Sequence, residues 1–350
     1  MSSRSAGVLT LMPRVGVVIP TWNGADLLRS ALQSLRGQRY RDFEIVVVDN
    51  GSRDRTLAML AEEFPDVRCI SLPVNRGFAV AVNLGIRATS GEYVALLNND
   101  AEADPDWLRA LVVALDRYPD VGSVASKMLD AGEPGIIDAA GDSMSLFAWN
   151  AGHGEPDGPD FAVGREVLSA CAGAAAYRRS LFDRVGFLDE SYSSWFEDVD
   201  LGVRAQLAGF RCWYEPSAVV RHRGSATLGR LSDTKAYFTV RNSLKLFFQT
   251  MPLRRLILWG PVLLVWPWCD PFLTGRPLRV TVRAWFAFWP MLPRLLRERR
   301  AAYARRRVPV SSLLNLLESP WSDVGRAFAA ARARLGHGSV PAGLALRSRL

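Results

Sequence analysis

The 350-residue chain reads as an α/β protein: a mostly parallel, doubly wound sheet followed by a helical C-terminal extension. Three observations lead there. Four apolar runs of strand length, each closed by polar or turn-forming residues, alternate with stretches of helical periodicity in the N-terminal part. Hydrophobic residues make up 49% of the chain, enough for a substantial core. The charge is divided: residues 241–350 hold 19 Lys and Arg against four acidic residues, a net of +15, so residues 1–240 carry −7 within the total of +8. An acidic folded unit joined to a basic tail points to a catalytic or binding domain beside a segment that meets something anionic.

The elements follow in order. Val15–Ile19, closed by Pro20, is the first strand, and Thr21-Trp22-Asn23-Gly24 leads into a helix carrying Leu27, Leu28, Ala31, Leu32 and Leu35. Phe43–Val48 repeats the plan and ends in Asp49-Asn50-Gly51-Ser52-Arg53-Asp54, whose Asp54 is placed to cap the helix of Leu57, Leu60 and Ala61. Val67–Leu72 is a third strand, and a glycine-opened helix runs from Asn75-Arg76-Gly77 to Ile86. Tyr93–Leu97, the fourth, stops abruptly at Asn98-Asn99-Asp100, with Pro105 beginning a helix around 106–118.

Right-handed crossovers put the loops after the first, second and fourth strands on one edge of the sheet, where such folds bind nucleotides. A carboxylate with neighbouring amides, as at Asp100, suits a hard divalent ion bound to phosphate oxygens; an Asx turn before a helix is the other reading. Asp49 has the same duality: acceptor for a base N–H or ribose hydroxyl, or Asx turn. Neither Gly-x-Gly-x-x-Gly nor Gly-Lys-Ser/Thr follows a strand, which disfavours a dinucleotide oxidoreductase or P-loop NTPase.

A strand at Val121–Ala125 precedes a Gly-, Pro- and Asp-rich stretch, 131–164, read as loops and a hairpin. Ser169–Ala176 places small residues for either close approach or a tightly packed strand. In Phe187–Arg204, Ser193 or Ser194 is expected to start a helix with Glu197, Asp198 and Asp200 in its first turn. Asp200 and Arg204 pair at i,i+4. Glu197 and Asp198, beside Trp195 and Phe196, are either caps or a base under a sugar-stacking aromatic face. A strand pair, Phe210–Tyr214 and Ala218–Arg221, ends in His222, read as a solvated loop histidine or a second metal ligand brought to Asp100.

The cysteines at 69, 171, 212 and 269 form no Cys-x-x-Cys pair, so neither a zinc site nor a disulfide scaffold is expected. The run Val15–Pro20 is too short for a secretory core, and the expected location is the cytoplasm.

The ordered series Val17–Gly24, Val47–Asp54, Asn75–Gly85, Leu96–Asp100, Phe187–Glu190 and Glu197–Leu201 resembles the family 2 glycosyltransferases of GT-A fold, particularly the bacterial rhamnosyltransferase-like branch. The resemblance covers about the first 240 residues. It implies that Pro20, Thr21, Asn23, Asp49, Asn75, Gly77, Asn83, Asn99 and Asp100 bind the nucleotide sugar, with Asp49 on the base. Asn98–Asp100 occupies the Asp-x-Asp position with its first acid replaced by Asn98, so Asp100 becomes the main ligand of Mg²⁺ or Mn²⁺, joined by His222. Asp198, favoured over Glu197, becomes the general base of an inverting transfer, with Trp195 and Gly173 on the acceptor. The activity implied is transfer of a sugar, first choice rhamnose from dTDP-rhamnose, to a lipid-linked or growing cell-surface glycan. A non-catalytic nucleotide-sugar-binding scaffold is the alternative.

The tail begins with a helix over Asp233–Gln249, packed back on the domain, whose Tyr237 and Arg241-Asn242 also resemble the branch. Leu256–Cys269 carries Pro261 and Pro267 and falls short of the ~20 apolar residues of a membrane span. Val280–Leu296 is rich in Trp and Phe and leads into clustered arginines, a composition suited to an anionic leaflet surface, or else to a helical subdomain with a solvated basic face. No nucleic-acid motif accompanies them. The expected organisation is a GT-A domain over 1–230 (nucleotide-sugar half 14–126, acceptor half 127–230), a basic helical extension over 231–310 and a loosely ordered tail over 311–350, peripheral on the inner face of the cell membrane.

Overall fold

A computed structural model describes residues 12–145, 148–224, 233–274, 277–319 and 321. Its elements are β1 (Val15–Thr21), α1 (Ala25–Arg36), β2 (Phe43–Asp49), α2 (Thr56–Glu63), β3 (Arg68–Ser71), α3 (Phe78–Ala88), β4 (Tyr93–Leu97), β5 (Ala101–Ala103), α4 (Trp107–Arg117), β6 (Val121–Asp130), β7 (Ile137–Ala139), β8 (Asp142–Met144), β9 (Ala148–Asn150), β10 (Arg165–Val167), β11 (Ala174–Arg178), α5 (Arg179–Val185), α6 (Glu197–Leu207), β12 (Arg211–His222), α7 (Asp233–Thr250), α8 (Leu253–Thr274), α9 (Leu278–Phe288), α10 (Leu292–Ala304) and α11 (Val310–Leu316).

The sheet runs β10-β12-β6-β11-β4-β1-β2-β3, with β5 added to β12 and β7 to β6. Strands β3, β2, β1 and β4 are mutually parallel. β11 enters between β4 and β6, antiparallel to both, and β12 lies parallel to β6. The expected mostly parallel sheet is present, made mixed by β11 and the short edge strands. Residues of β1 and β4 are buried throughout, which is why they read as unbroken apolar runs. Against one face, α1 buries Leu28, Ala31, Leu32 and Leu35, and α4 buries Trp107, Leu108, Leu111 and Leu115. α3 lies so close to β1 on the other face that a Cβ at Gly85 would stand 2.2 Å from Val18 Cγ1.

A separate apolar cluster joins the C-terminal helices to the sheet domain. Val199, Val203 and Leu207 of α6 pack with Leu244, Phe247 and Phe248 of α7, Leu263 of α8, Phe288 of α9, Leu295 of α10 and Leu313 of α11. Residues 310–316 of the stretch expected to be loosely ordered are therefore a packed helix, anchored by Leu313. Within the rest of that stretch, residues 320 and 322–350 lie outside the described residues.

Two local expectations are corrected. Phe210–Tyr214 and Ala218–Arg221 are not a strand pair but one strand, β12, whose register on β6 shifts between Glu215 and Val219. Pro216, lacking an N–H for the ladder, sits in that bulge and mimics a turn in the sequence. The acidic helix starts at Glu197 rather than at Ser193 or Ser194, because Ser193, Trp195 and Phe196 all adopt positive φ (66°, 67° and 73°). α8 runs through both Pro261 and Pro267, yet among the described residues no helix is long and apolar enough to cross a membrane.

Candidate active site

β5 pairs antiparallel with the end of β12, so Ala101 stands opposite His222 and Arg223 N donates to Asp100 O at 3.0 Å. This register brings His222 Nε2 to 3.1 Å from Asp100 Oδ1. On its other side, His222 Nδ1 lies 2.7 Å from Asp138 Oδ2. Asp138 is also 3.4 Å from His153 Nδ1. Burial opposes a charge on His222, but the two carboxylates outweigh it and the pKa is pushed up to about 10. Burial would raise Asp138, yet the two histidines hold it well below the usual carboxylate range. Nε2 itself is buried without a well-aligned hydrogen bond. An imidazole whose far nitrogen is fixed by a carboxylate and whose near nitrogen stands beside a second carboxylate fits a divalent cation, which would displace the Nε2 proton on binding.

The second constellation lies across the loop before β11. Asn98 N donates to Gly173 O (2.8 Å) at the end of β4, and Ala172 N, one residue earlier, donates to Asp198 Oδ2 (3.0 Å) at the start of α6. Val199 N holds Asp198 Oδ1 at 2.9 Å. The loop must approach closely: a Cβ on Gly173 would lie 2.9 Å from Met128 Cε and 3.4 Å from Asn98 Nδ2. Asp198 is partly exposed, whereas Glu197 is buried with Oε2 unpartnered. Burial, reinforced by repulsion from Asp198, pushes Glu197 up to about 8; burial also raises Asp198, opposed by its backbone N–H donors. Burial therefore favours the neutral form of Glu197, and Asp198 is the reachable carboxylate. Asp142, buried and bonded by Ser169 Oγ at 2.6 Å, offers an oxygen within 4.8 Å of Asp198 and Cys171.

The donor-side residues do two kinds of work. Thr21 Oγ1 accepts from Asn99 Nδ2 at 3.0 Å, tying the ends of β1 and β4 together beside buried Pro20. Exposed Asn23 accepts from Arg53 N at 2.7 Å through Oδ1, and its own N–H donates to Ser52 Oγ at 2.9 Å. Asp49 is fully buried, accepting from Ser52 N (3.2 Å) and Ser71 Oγ (3.1 Å), the geometry of the Asx-turn reading. Asn50 donates to Asn75 Oδ1 and Gly77 O and accepts from Arg76 N, fixing the loop before α3. Gly77 has φ +90°, and a Cβ there would meet Ser193 O at 3.0 Å. Asn83 departs from its expected place in the nucleotide pocket: it is 1% exposed, with its amide exchanging hydrogen bonds with Leu188 O and Leu188 N. An amide on the inner face of α3 is spent on the loop behind it.

The sequence profile of glycosyl transferase family 2 matches residues 16–186. An N-acetylglucosaminyl-diphospho-decaprenol L-rhamnosyltransferase of Mycobacterium tuberculosis is 31% identical over 238 residues, covering 61% of this chain and 77% of that protein. The chain belongs to the family 2 glycosyltransferases. The O-antigen biosynthesis protein RfbC of Myxococcus xanthus is 34% identical over 229 residues, which is 61% of this chain but 18% of the length of that relative. Among solved structures, the mannosyltransferase PcManGT from Pyrobaculum calidifontis, in complex with GDP-Man and Mn²⁺, is 21% identical and superposes with a TM-score of 0.51 over 97% of this chain and 87% of its own. GalNAc-T7 with UDP, GalNAc and Mn²⁺ is 16% identical with a TM-score of 0.54, over 68% of this chain and 48% of its own. These likenesses establish the GT-A fold.

In this family 2 glycosyltransferase the strand-end residues Thr21, Asn99 and Asp100 converge as the sequence suggested, and His222 joins Asp100. Glu197 and Asp198 begin α6, and partly exposed Trp195 precedes them, its ring centroid 6.1 Å from that of Phe238. Sequence reasoning missed Asp138, Asp142 and Asn50. Asp138 and Asp142 lie in the stretch read as loops, where no periodicity marks a residue as facing the site.

Proposed function

We propose that this protein transfers a sugar from a nucleoside diphosphate to a lipid-linked or growing cell-surface glycan with inversion, rhamnose from dTDP-rhamnose being the first choice. The observation that carries it is Asp198: a partly exposed carboxylate at the start of α6, fixed by two backbone N–H groups, one of them from the loop that is bonded directly to the strand end next to Asp100. A general base must be reachable, oriented and poised near neutrality. Asp198 accepts the acceptor hydroxyl's proton, beside a Glu197 whose burial favours its neutral form. Trp195 supplies an aromatic face for the acceptor sugar, and Thr21, Asn23, Asn75 and Asn99 border the donor. Asp100 and His222 would hold Mg²⁺ or Mn²⁺, with Asp138 fixing the imidazole; such an ion offsets the charge of the departing diphosphate.

The rhamnose assignment draws on the name of the mycobacterial relative. A place on the inner face of the cell membrane is supported by α8, where Leu253, Ile257, Leu258 and Val265 are exposed near Arg254. Flotation with anionic vesicles tests that placement, and protein remaining at the bottom of the gradient refutes it. The donor is tested by thermal shift against dTDP-, UDP- and GDP-sugars with and without Mn²⁺, since a ligand that binds only the folded state raises its melting temperature. Stabilisation by dTDP-rhamnose with Mn²⁺ is expected. Stabilisation by another nucleotide class alone overturns the rhamnose choice, and none at all overturns the transfer reading.

A further inference from the structure

The residues just before the base form a strained loop that the rest of the sheet domain does not hold by itself. Ser193, Trp195 and Phe196 are three non-glycine residues in four with positive φ, a conformation that persists only where surrounding structure enforces it. The enforcement comes chiefly from one helix of the C-terminal extension. Asn242 Nδ2 on α7 lies within hydrogen-bond distance of the carbonyls of Tyr192 (3.1 Å), Ser194 (2.8 Å) and Trp195 (3.0 Å). Arg241 donates to the carbonyls of Ser191 and Tyr192 at 3.0 and 2.9 Å, and Lys245 Nζ holds Ser191 Oγ and Asp189. Asn242 is fully buried, as is Tyr192, so the bond between them has no water to replace it.

The same loop is tied from the donor side. Phe78 N, at the start of α3, donates to Ser193 O at 2.7 Å, and Gly77, through which the chain reaches α3, is itself held by Asn50. The loop is thus a joint between the donor half and α7, and its last residue, Phe196, opens the helix that carries Asp198.

We propose that Asn242 is a positioning residue for the base, and that α7 acts in transfer by locking the left-handed turn that aims Asp198 and Trp195 at the acceptor. The proposal rests on Asp198 being the base, as argued above. Misplacing a catalytic group by about 1 Å costs about 10²-fold in rate. Asn242→Ala is therefore expected to lower kcat for transfer from dTDP-rhamnose by about 10²-fold, with the donor dissociation constant, measured by calorimetry with Mn²⁺, unchanged. Amide hydrogen exchange should quicken in residues 189–198 and stay unaltered in β1, β2 and β4.

A merely structural residue would not lower kcat while leaving donor binding unchanged. Adding Ser193→Gly, which takes φ +66° without a side-chain penalty, should restore part of the lost kcat in Asn242→Ala. Arg241→Met, from a half-buried side chain, repeats the test if Asn242→Ala does not fold, and is expected to give the same split between kcat and donor binding. Unchanged kcat in the variant that folds overturns the proposal, as does parallel loss of donor binding. A wild-type protein that binds no donor fails in the thermal-shift screen instead, so the two readings fall separately.

Discussion

Lys245→Met removes an ammonium with no route to water. Lys245 is 0% exposed, its Nζ 2.8 Å from Asp189 Oδ2, 2.6 Å from Ser191 Oγ and 3.3 Å from the centre of the Tyr192 ring. Methionine fills the volume but leaves Asp189, itself 13% exposed at the side chain, as a buried anion. Breaking a buried pair from one side costs about 3–5 kcal/mol. Here the lower end applies, because Ser191 N and Oγ still donate to Asp189 Oδ1 and Arg294 lies 3.9 Å away. For a chain of 350 residues, a loss of about 3 kcal/mol corresponds to roughly 4 °C in melting temperature. The pH dependence has a definite sign. Burial alone would raise the pKa of Asp189, but Lys245 and Ser191 hold it well below the usual carboxylate range. Such a group stabilises the fold above its unfolded pKa of ~3.9 and loses that contribution as pH falls towards the folded value. The wild type loses it on acidification; the variant has little to lose. The gap should be widest near neutrality and narrow below about pH 4. Urea unfolding followed by tryptophan fluorescence across that range measures it, and a gap below about 0.5 kcal/mol at neutral pH, or one that widens in acid, would refute the reasoning.

Asp198→Asn should cut the transfer rate by ~10²–10⁴-fold with a smaller change in donor affinity, and near-normal turnover would remove Asp198 from the role of base. Asp138→Asn should weaken Mn²⁺ binding ~10–100-fold, read from the spin-resonance signal of free Mn²⁺, because it frees the His222 ring and its tautomer; undiminished binding would place the metal elsewhere. Glu197→Gln tests where the proton sits. Glu197 holds its proton in the folded state up to about pH 8 but loses it near ~4.3 when unfolded, so the wild type should lose stability as pH rises between those values. The variant should match the wild type at pH 4 and exceed it at pH 8; identical pH profiles in thermal unfolding would show Glu197 ionised in the fold.

The strand ends were readable because β1, β2 and β4 are apolar runs that end in polar residues, so their edge announces itself. Pairing of Asp100 with His222 was readable for a related reason, each standing at a strand terminus. Asp138 was not: it reaches His222 only because β7 turns back along β6, and nothing in a Gly- and Asp-rich stretch encodes that antiparallel return. Asn83 shows the opposite failure, since an asparagine facing a nucleotide and one bonded to Leu188 look alike in a helical pattern. The start of α6 was misread because local propensity favours a serine cap, whereas the actual entry depends on Asn242, 47 residues beyond Trp195.

Charge divides the chain into an acidic part over 1–240 and a basic part over 241–350, and the packing crosses that division. Val199, Val203 and Leu207 on α6 share one apolar cluster with Leu244, Phe247 and Phe248 on α7, while Leu201 and Ala205 of the same helix pack into the sheet-side cluster, so α6 is cored from both sides. Arginine-rich composition describes what α9 and α10 show to solvent; it is silent about Phe288 and Leu295, which they bury. Net charge is a property of surfaces and domain identity a property of cores. The helices that carry the basic face therefore share a core with α6, and the exposed apolar side of α8 is attached, through α7, to the loop that precedes Asp198.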